Sequence, residues 1–196
     1  MPAVVVIAGA PGAGKSSVSR ELQARLDCPV FEFGWIPEFR NTGDRTTAYE
    51  EDEQLAFECL VLVVRKYVEH GYRNVIVTDL QEDRPAQALE VLADLDVILV
   101  TLRVEDEQLL RRRVLEETRS SDYRDDDASV ALNRRLLARD ALPGEVFVDV
   151  GHRPLLDVVD EVHQLITSRV WTAAHDGGPP PACGDHDHGR CCWRRP

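Results

Sequence analysis

The chain has 196 residues, enough for one domain with a substantial core, and its 43% hydrophobic and 30% charged residues are those of a globular protein in water. A formal net charge of −12 argues against a protein whose main partner is nucleic acid, because such binding draws on Lys and Arg to neutralise phosphates. No apolar run approaches the roughly 20 residues of a membrane span. The apolar N-terminal stretch lacks a basic region before it and is expected to be a core strand of a cytoplasmic protein.

In chain order, that strand is Ala3 to Ala8, and a helical pattern runs from Ser17 to Leu26. Between them stands Gly9-Ala10-Pro11-Gly12-Ala13-Gly14-Lys15-Ser16. Glycine, four residues, then Gly-Lys-Ser between a strand and a helix is the P-loop that cradles phosphates. Glycines let backbone N–H groups approach phosphate oxygens, and the helix directs its N-terminal partial charge at the same anion. Lys15 adds a point charge for the β- and γ-phosphates, Ser16 offers a hydroxyl to Mg²⁺, and Ser17 closes the expected set of nucleotide contacts. A nucleoside triphosphate is the implied ligand. The guanine-reading Asn-Lys-x-Asp motif does not occur, which points to ATP.

Cys28 to Phe33 reads as a short strand ended by Gly34, with Glu32 near the end that faces the site, since ligands bind outside the carboxyl ends of strands in open α/β sheets. Residues 35–47 have no period and carry Arg40 and Arg45, candidate contacts for an anionic acceptor. A helix is predicted from Ala48 to His70, with Ala56, Cys59, Leu60, Val63, Val64, Tyr67 and Val68 as its buried stripe. Cys28 and Cys59 are both expected to be small buried side chains.

Asn74 to Asp79 is an apolar strand ending in a carboxylate, the Walker B pattern, in which Asp79 would share Mg²⁺ with Ser16. A helix follows over Asp83 to Leu95, with Arg84 near its start, and then a strand over Asp96 to Leu102. Two helices, Glu105 to Thr118 and Ala128 to Ala141, flank a polar break, and this stretch carries Arg111, Arg112, Arg113, Arg119, Arg124, Arg134, Arg135 and Arg139. A helix–loop–helix insert with inward arginines, about residues 111–135, suits a lid that excludes water and brings cations to a transferring phosphoryl group. The alternative is a solvated hairpin, whose arginines pair with the interleaved Glu and Asp.

A fifth strand, Glu145 to Val150, precedes a last helix, Leu155 to Ser168, so strand and helix alternate throughout and imply a parallel sheet with helices on both faces. Residues 1–170 form the expected domain. Residues 171–196 are Pro-, Gly-, His- and Cys-rich and are expected to be disordered. Cys183, His186, His188, Cys191 and Cys192 match no standard zinc spacing and are assigned no function.

With these motifs in place, residues 3–168 resemble the small P-loop kinases of the adenylate-kinase-like group, which includes shikimate and gluconate kinases, chloramphenicol phosphotransferase-like enzymes and AAA-family ATPases. The resemblance implies an α/β P-loop NTPase sandwich of three layers. Its five-stranded parallel sheet would have the order 2-3-1-4-5, and it would use ATP with Mg²⁺ under a helical lid. It further implies Glu32 as base or positioner at the acceptor hydroxyl, Arg113 leading into the lid, and Arg119 or Arg124 with Arg134 or Arg135 on the phosphoryl charge. Asp79 is followed by Leu80-Gln81 instead of the Asp-Gly-hydrophobic-Pro-Arg run of nucleoside monophosphate kinases. The reading that results is a kinase of a small hydroxyl-bearing molecule. The alternatives are an ATP-dependent switch without an acceptor and a kinase of nucleic-acid ends.

Overall fold

The structure, a computed structural model, describes residues 3–35, 49–80, 83–117 and 121–175. Five parallel strands form one sheet in the order β2-β3-β1-β4-β5. They are β1 (Ala3–Gly9), β2 (Val30–Glu32), β3 (Asn74–Thr78), β4 (Asp96–Arg103) and β5 (Glu145–Asp149). The helices are α1 (Lys15–Leu26), α2 (Tyr49–Glu69), α3 (Arg84–Val91), α4 (Glu107–Leu115), α5 (Asp126–Ala138) and α6 (Leu155–His175), and Phe33–Trp35 is a single 3-10 turn. Fold class and strand order are those expected.

Why these residues make these layers follows from the pleat. Successive side chains of β1 point to opposite faces of the sheet. Val5 and Ile7 join Val18, Leu22, Leu110, Val130, Val158, Val162 and Ile166, so α1, α4, α5 and α6 cover that face. Val4, Val6 and Ala8 join Phe57, Leu60, Val64, Ala88 and Leu92, from α2 and α3. As the central strand, β1 is buried on both sides, which is why its sequence is continuously apolar instead of alternating.

Two expectations need correction. On α2, Cys59 is exposed, and the buried stripe runs through Phe57, which periodicity had passed over, together with Ala56, Leu60 and Val64. Cys28 is buried as expected, and burial, with Asp27 beside it, pushes its thiol up to about 11. The last helix does not stop at Ser168 but continues through His175, past the proposed domain end. Residues 176–196, with the Cys/His tail, lie outside the described residues.

Two buried polar clusters, neither anticipated, tie α5 to the sheet. Glu145 accepts from Arg139 (2.6 Å), from the Thr101 hydroxyl and from the Leu142 N–H. Burial alone would push this carboxyl up, but those donors hold it below the ordinary glutamate value. Asn133 both accepts from Val104 N–H (3.1 Å) and donates to Val104 C=O (2.6 Å), clamping α5 to the end of β4.

Candidate active site

The site forms at the carboxyl edge of the sheet, where β1 turns into α1. Gly9 takes φ 143° and runs so close to β4 that a Cβ would lie 2.7 Å from the Leu102 carbonyl oxygen. Gly12, at φ 86°, is pressed on Leu110 and Val114 of α4, and a Cβ there would approach the Val114 side chain to 2.8 Å. Only glycine fits either place. Gly14, at φ 94°, caps α1 without a side-chain hydrogen bond, so the first N–H groups of that helix are not used by a capping side chain. Within the loop, Ala10 and Ala13 are fully buried.

Lys15 is 9% exposed, folded back so that Nζ donates to the Gly9 carbonyl (3.1 Å) and lies 3.5 Å from the Ala10 carbonyl. Its Nζ is also 3.5 Å from Asp79 Oδ1. Sequence reasoning placed these two residues 64 positions apart (79 − 15) in separate motifs, and the sheet brings them together. Ser16 is half-buried and Ser17 exposed in the first turn of α1. A hydroxyl at Ser16 and a carboxylate at Asp79, 40% exposed, are hard oxygen donors beside a phosphate cradle, the donor type that Mg²⁺ takes alongside phosphates and water. The residues present therefore fit the metal.

Asp79 leaves β3 in the left-handed conformation, φ 68°, which Asp tolerates better than most residues. The preceding residue is anchored: Thr78 is fully buried and its hydroxyl donates to the Ile7 carbonyl (3.2 Å). Across the strand pair, Glu32 sits in register with Thr78, so it stands at the same edge as Asp79 and half-buried. Gly34 then passes beneath the aspartate. A Cβ there would be 3.3 Å from Asp79 Oδ2.

On the same side, Arg84 stacks over the Phe57 ring (5.0 Å) and donates to Gln54 (2.6 Å) and Gln87 (2.5 Å). Its described partners are two neutral amides and an aromatic face. Gly34 and Arg84 were seen in the sequence only as a strand end and a helix start.

The arginines of α4, of α5 and of the stretch between them divide into two kinds. Arg113 is half-buried and donates to the Gly151 carbonyl (2.8 Å), and burial lowers its pKa below the ordinary arginine value. Arg124 is exposed and donates to the carbonyls of Ser121 (2.5 Å) and Tyr123 (2.9 Å). Arg134 makes a two-point pair with Glu107 (2.5 and 2.6 Å), and Arg111 pairs with Asp126 and Asp127. These pairs are what the hairpin alternative anticipated. Arg40, Arg45 and Arg119 lie outside the described residues.

Comparison with known proteins now defines the class. The AAA domain family matches residues 5–139, and the chain belongs to that family. It is 29% identical over 186 residues to an adenylate kinase of Thermobifida fusca (strain YX), covering 86% of this chain and 96% of that protein. Its fold is similar to a gluconokinase from Sinorhizobium meliloti 1021, with TM-score 0.62, 17% identity, and 89% and 98% of the two chains covered. It is also similar to the Deinococcus radiodurans tunicamycin resistance protein, with TM-score 0.63, 14% identity, and 85% and 96% covered. The architecture is that of a P-loop kinase.

Proposed function

We propose that this chain is an ATP-dependent kinase that transfers the γ-phosphoryl group to a small hydroxyl-bearing acceptor. The observation that carries the reading is the meeting of Lys15 Nζ with Asp79 Oδ1 at 3.5 Å, over a glycine-specified cradle. Phosphoryl transfer needs little covalent help from a protein and depends on positioning and charge stabilisation. The backbone N–H groups of residues 9–17, Pro11 excepted, and Lys15 hold the phosphates. Ser16 and Asp79 would hold Mg²⁺, which would supply neutralisation of phosphate charge. Arg113, Arg119, Arg124 and Arg134 are the cations for the transferring group, and Arg134 has to leave Glu107 to serve.

Glu32 faces the acceptor as base or positioner, supported by its place beside Asp79 at the edge of the sheet. Arg84 takes an anionic part of the acceptor, as a charge poised on neutral partners, and Arg40 and Arg45 remain candidates for the same task. Among the described residues no helix is long and apolar enough to cross a membrane.

The test is ATP turnover with Mg²⁺, alone and against hydroxylated acceptors, with Lys15→Ala as control. Nucleoside monophosphates belong in the panel because of the similarity to an adenylate kinase, although Leu80-Gln81 departs from that group's run. Acceptor-stimulated ADP release that vanishes in the variant supports the kinase. ATP binding with basal turnover that no acceptor stimulates favours a switch, and no nucleotide binding ends both readings.

A further inference from the structure

The Ser129 side chain belongs to no motif, yet it is completely buried and its hydroxyl donates to the Pro11 carbonyl at 2.5 Å, from α5 across to the P-loop. Asn133, one turn further along α5, is equally buried and clamped to both polar groups of Val104. Two buried polar residues at i and i+4 therefore present one face of α5 to the loop and to the end of β4. Asn133 fixes the helix, and Ser129 uses that fixed helix to hold one carbonyl.

What that carbonyl controls follows from peptide geometry. No peptide bond is cis among the described residues, so the Pro11 C=O and the Gly12 N–H point in opposite directions from one planar unit. Holding the carbonyl toward α5 turns the Gly12 N–H away from α5. A reversed peptide would aim a carbonyl, the negative end of its dipole, at phosphate. Glycine itself offers little resistance to reversal, because it accepts φ of either sign. No larger residue can stiffen the place, since a Cβ at Gly12 would collide with Val114. The restraint has to come from outside the loop.

We infer that Ser129 is a positioning residue of the phosphate cradle, setting the orientation of the Pro11–Gly12 peptide through its hydrogen bond to the Pro11 carbonyl. This rests on the reading of residues 9–16 as the phosphate site. It makes the base of the α4–α5 pair part of the donor site.

The experiment titrates ATP and inorganic tripolyphosphate, each with Mg²⁺, into wild type, Ser129→Ala and Ser129→Thr, and records thermal melting without ligand. Ser129→Ala is expected to weaken both ligands by the same factor, roughly three- to tenfold for one lost hydrogen bond to a carbonyl. Ser129→Thr keeps the hydroxyl and restores both affinities. A wild type that binds neither ligand ends the phosphate-site reading and this inference with it. A wild type that binds both while Ser129→Ala binds as tightly overturns the inference alone. So does a loss for ATP without one for tripolyphosphate, or an equal loss in both variants, which would mark Ser129 as packing.

Discussion

The two halves of the site are built by different means. On the phosphate side, backbone does the work: Gly9 and Gly12 are fixed by contacts on β4 and α4, Pro11 by Ser129, and Ala10 and Ala13 in the same loop are wholly buried. On the proposed acceptor side, β2 is three residues long, every one partly exposed, and the candidate groups are side chains: Glu32, Asp79 and Arg84. A phosphate is the same ligand in every protein that binds it, so a rigid cradle suits it. Acceptors differ, and a scaffold reused for many of them keeps its variable chemistry on replaceable side chains.

The largest effect expected is at the point where the halves meet. Lys15→Ala removes a charge that contacts the phosphate loop and approaches Asp79, and turnover should fall roughly 10²- to 10³-fold, the scale for losing one preorganised electrostatic group. Measured as initial ADP release, a loss below tenfold would show that the meeting of the halves does not organise catalysis. Next comes rigidity. Gly9→Ala forces a Cβ onto the backbone oxygen of Leu102 at an unfavourable φ and should cost about 2–4 kcal/mol in denaturant melts. Gly14→Ala meets nothing within 4 Å and keeps only the backbone strain, about 1 kcal/mol. Equal costs at the two glycines would remove the close-approach explanation of Gly9.

Glu145 tests whether α5, the helix behind the cradle, is held by charge. Glu145→Gln breaks its pair with Arg139 and should cost about 3 kcal/mol, the low end for a buried pair because Arg139 is a third exposed. The sign with pH follows from the depressed carboxyl. Its stabilisation is complete above the ordinary glutamate value of 4.5 and is lost as pH falls through the lower folded value. Acid melts of the wild type should therefore steepen below pH 4.5 relative to Glu145→Gln. Identical acid slopes would deny the pair that role. On the acceptor side the equivalent change is gentler. Gly34→Ala pushes on Asp79 Oδ2 by a few tenths of an ångström, and kcat should drop roughly three- to tenfold with little change in melting.

How much of this was legible in the sequence depended on whether the information was local. The P-loop is contiguous, its glycines answer to backbone geometry, and its flanks declare strand and helix, so residues 9–17 were readable outright. Asp79 was readable as the end of an apolar strand. Contacts across the fold were not. Nothing near Gly34 in the sequence says that Asp79 will stand over it, and Ser129 and Asn133 look like ordinary polar helix residues until α5 is seen against the loop. The available signal was their i, i+4 spacing beside Val130, an inward face carrying two uncharged polar groups. Cys59 was misplaced for a related reason: an apolar run wider than the buried stripe does not say where the stripe is centred, and Phe57 takes the core position instead.

The smallest effect separates the two accounts of the α4–α5 arginines. Arg134 and Glu107 make a well-formed two-point pair, but Arg134 is 63% exposed, and exposed pairs are worth about 0.5 kcal/mol. Arg134→Ala should therefore leave stability unchanged within that amount. The same weakness means the pair is no obstacle to closure, because opening it costs less than one hydrogen bond to a phosphate returns. Glu107→Gln should accordingly leave kcat unchanged, while Arg134→Ala lowers it a few-fold and less than Arg113→Ala does, since Arg113 is already held on the Gly151 carbonyl and has no two-point pair with Glu107 to break. If Glu107→Gln and Arg134→Ala instead lower kcat equally, the pair acts as a unit, and its place is in holding the two helices together.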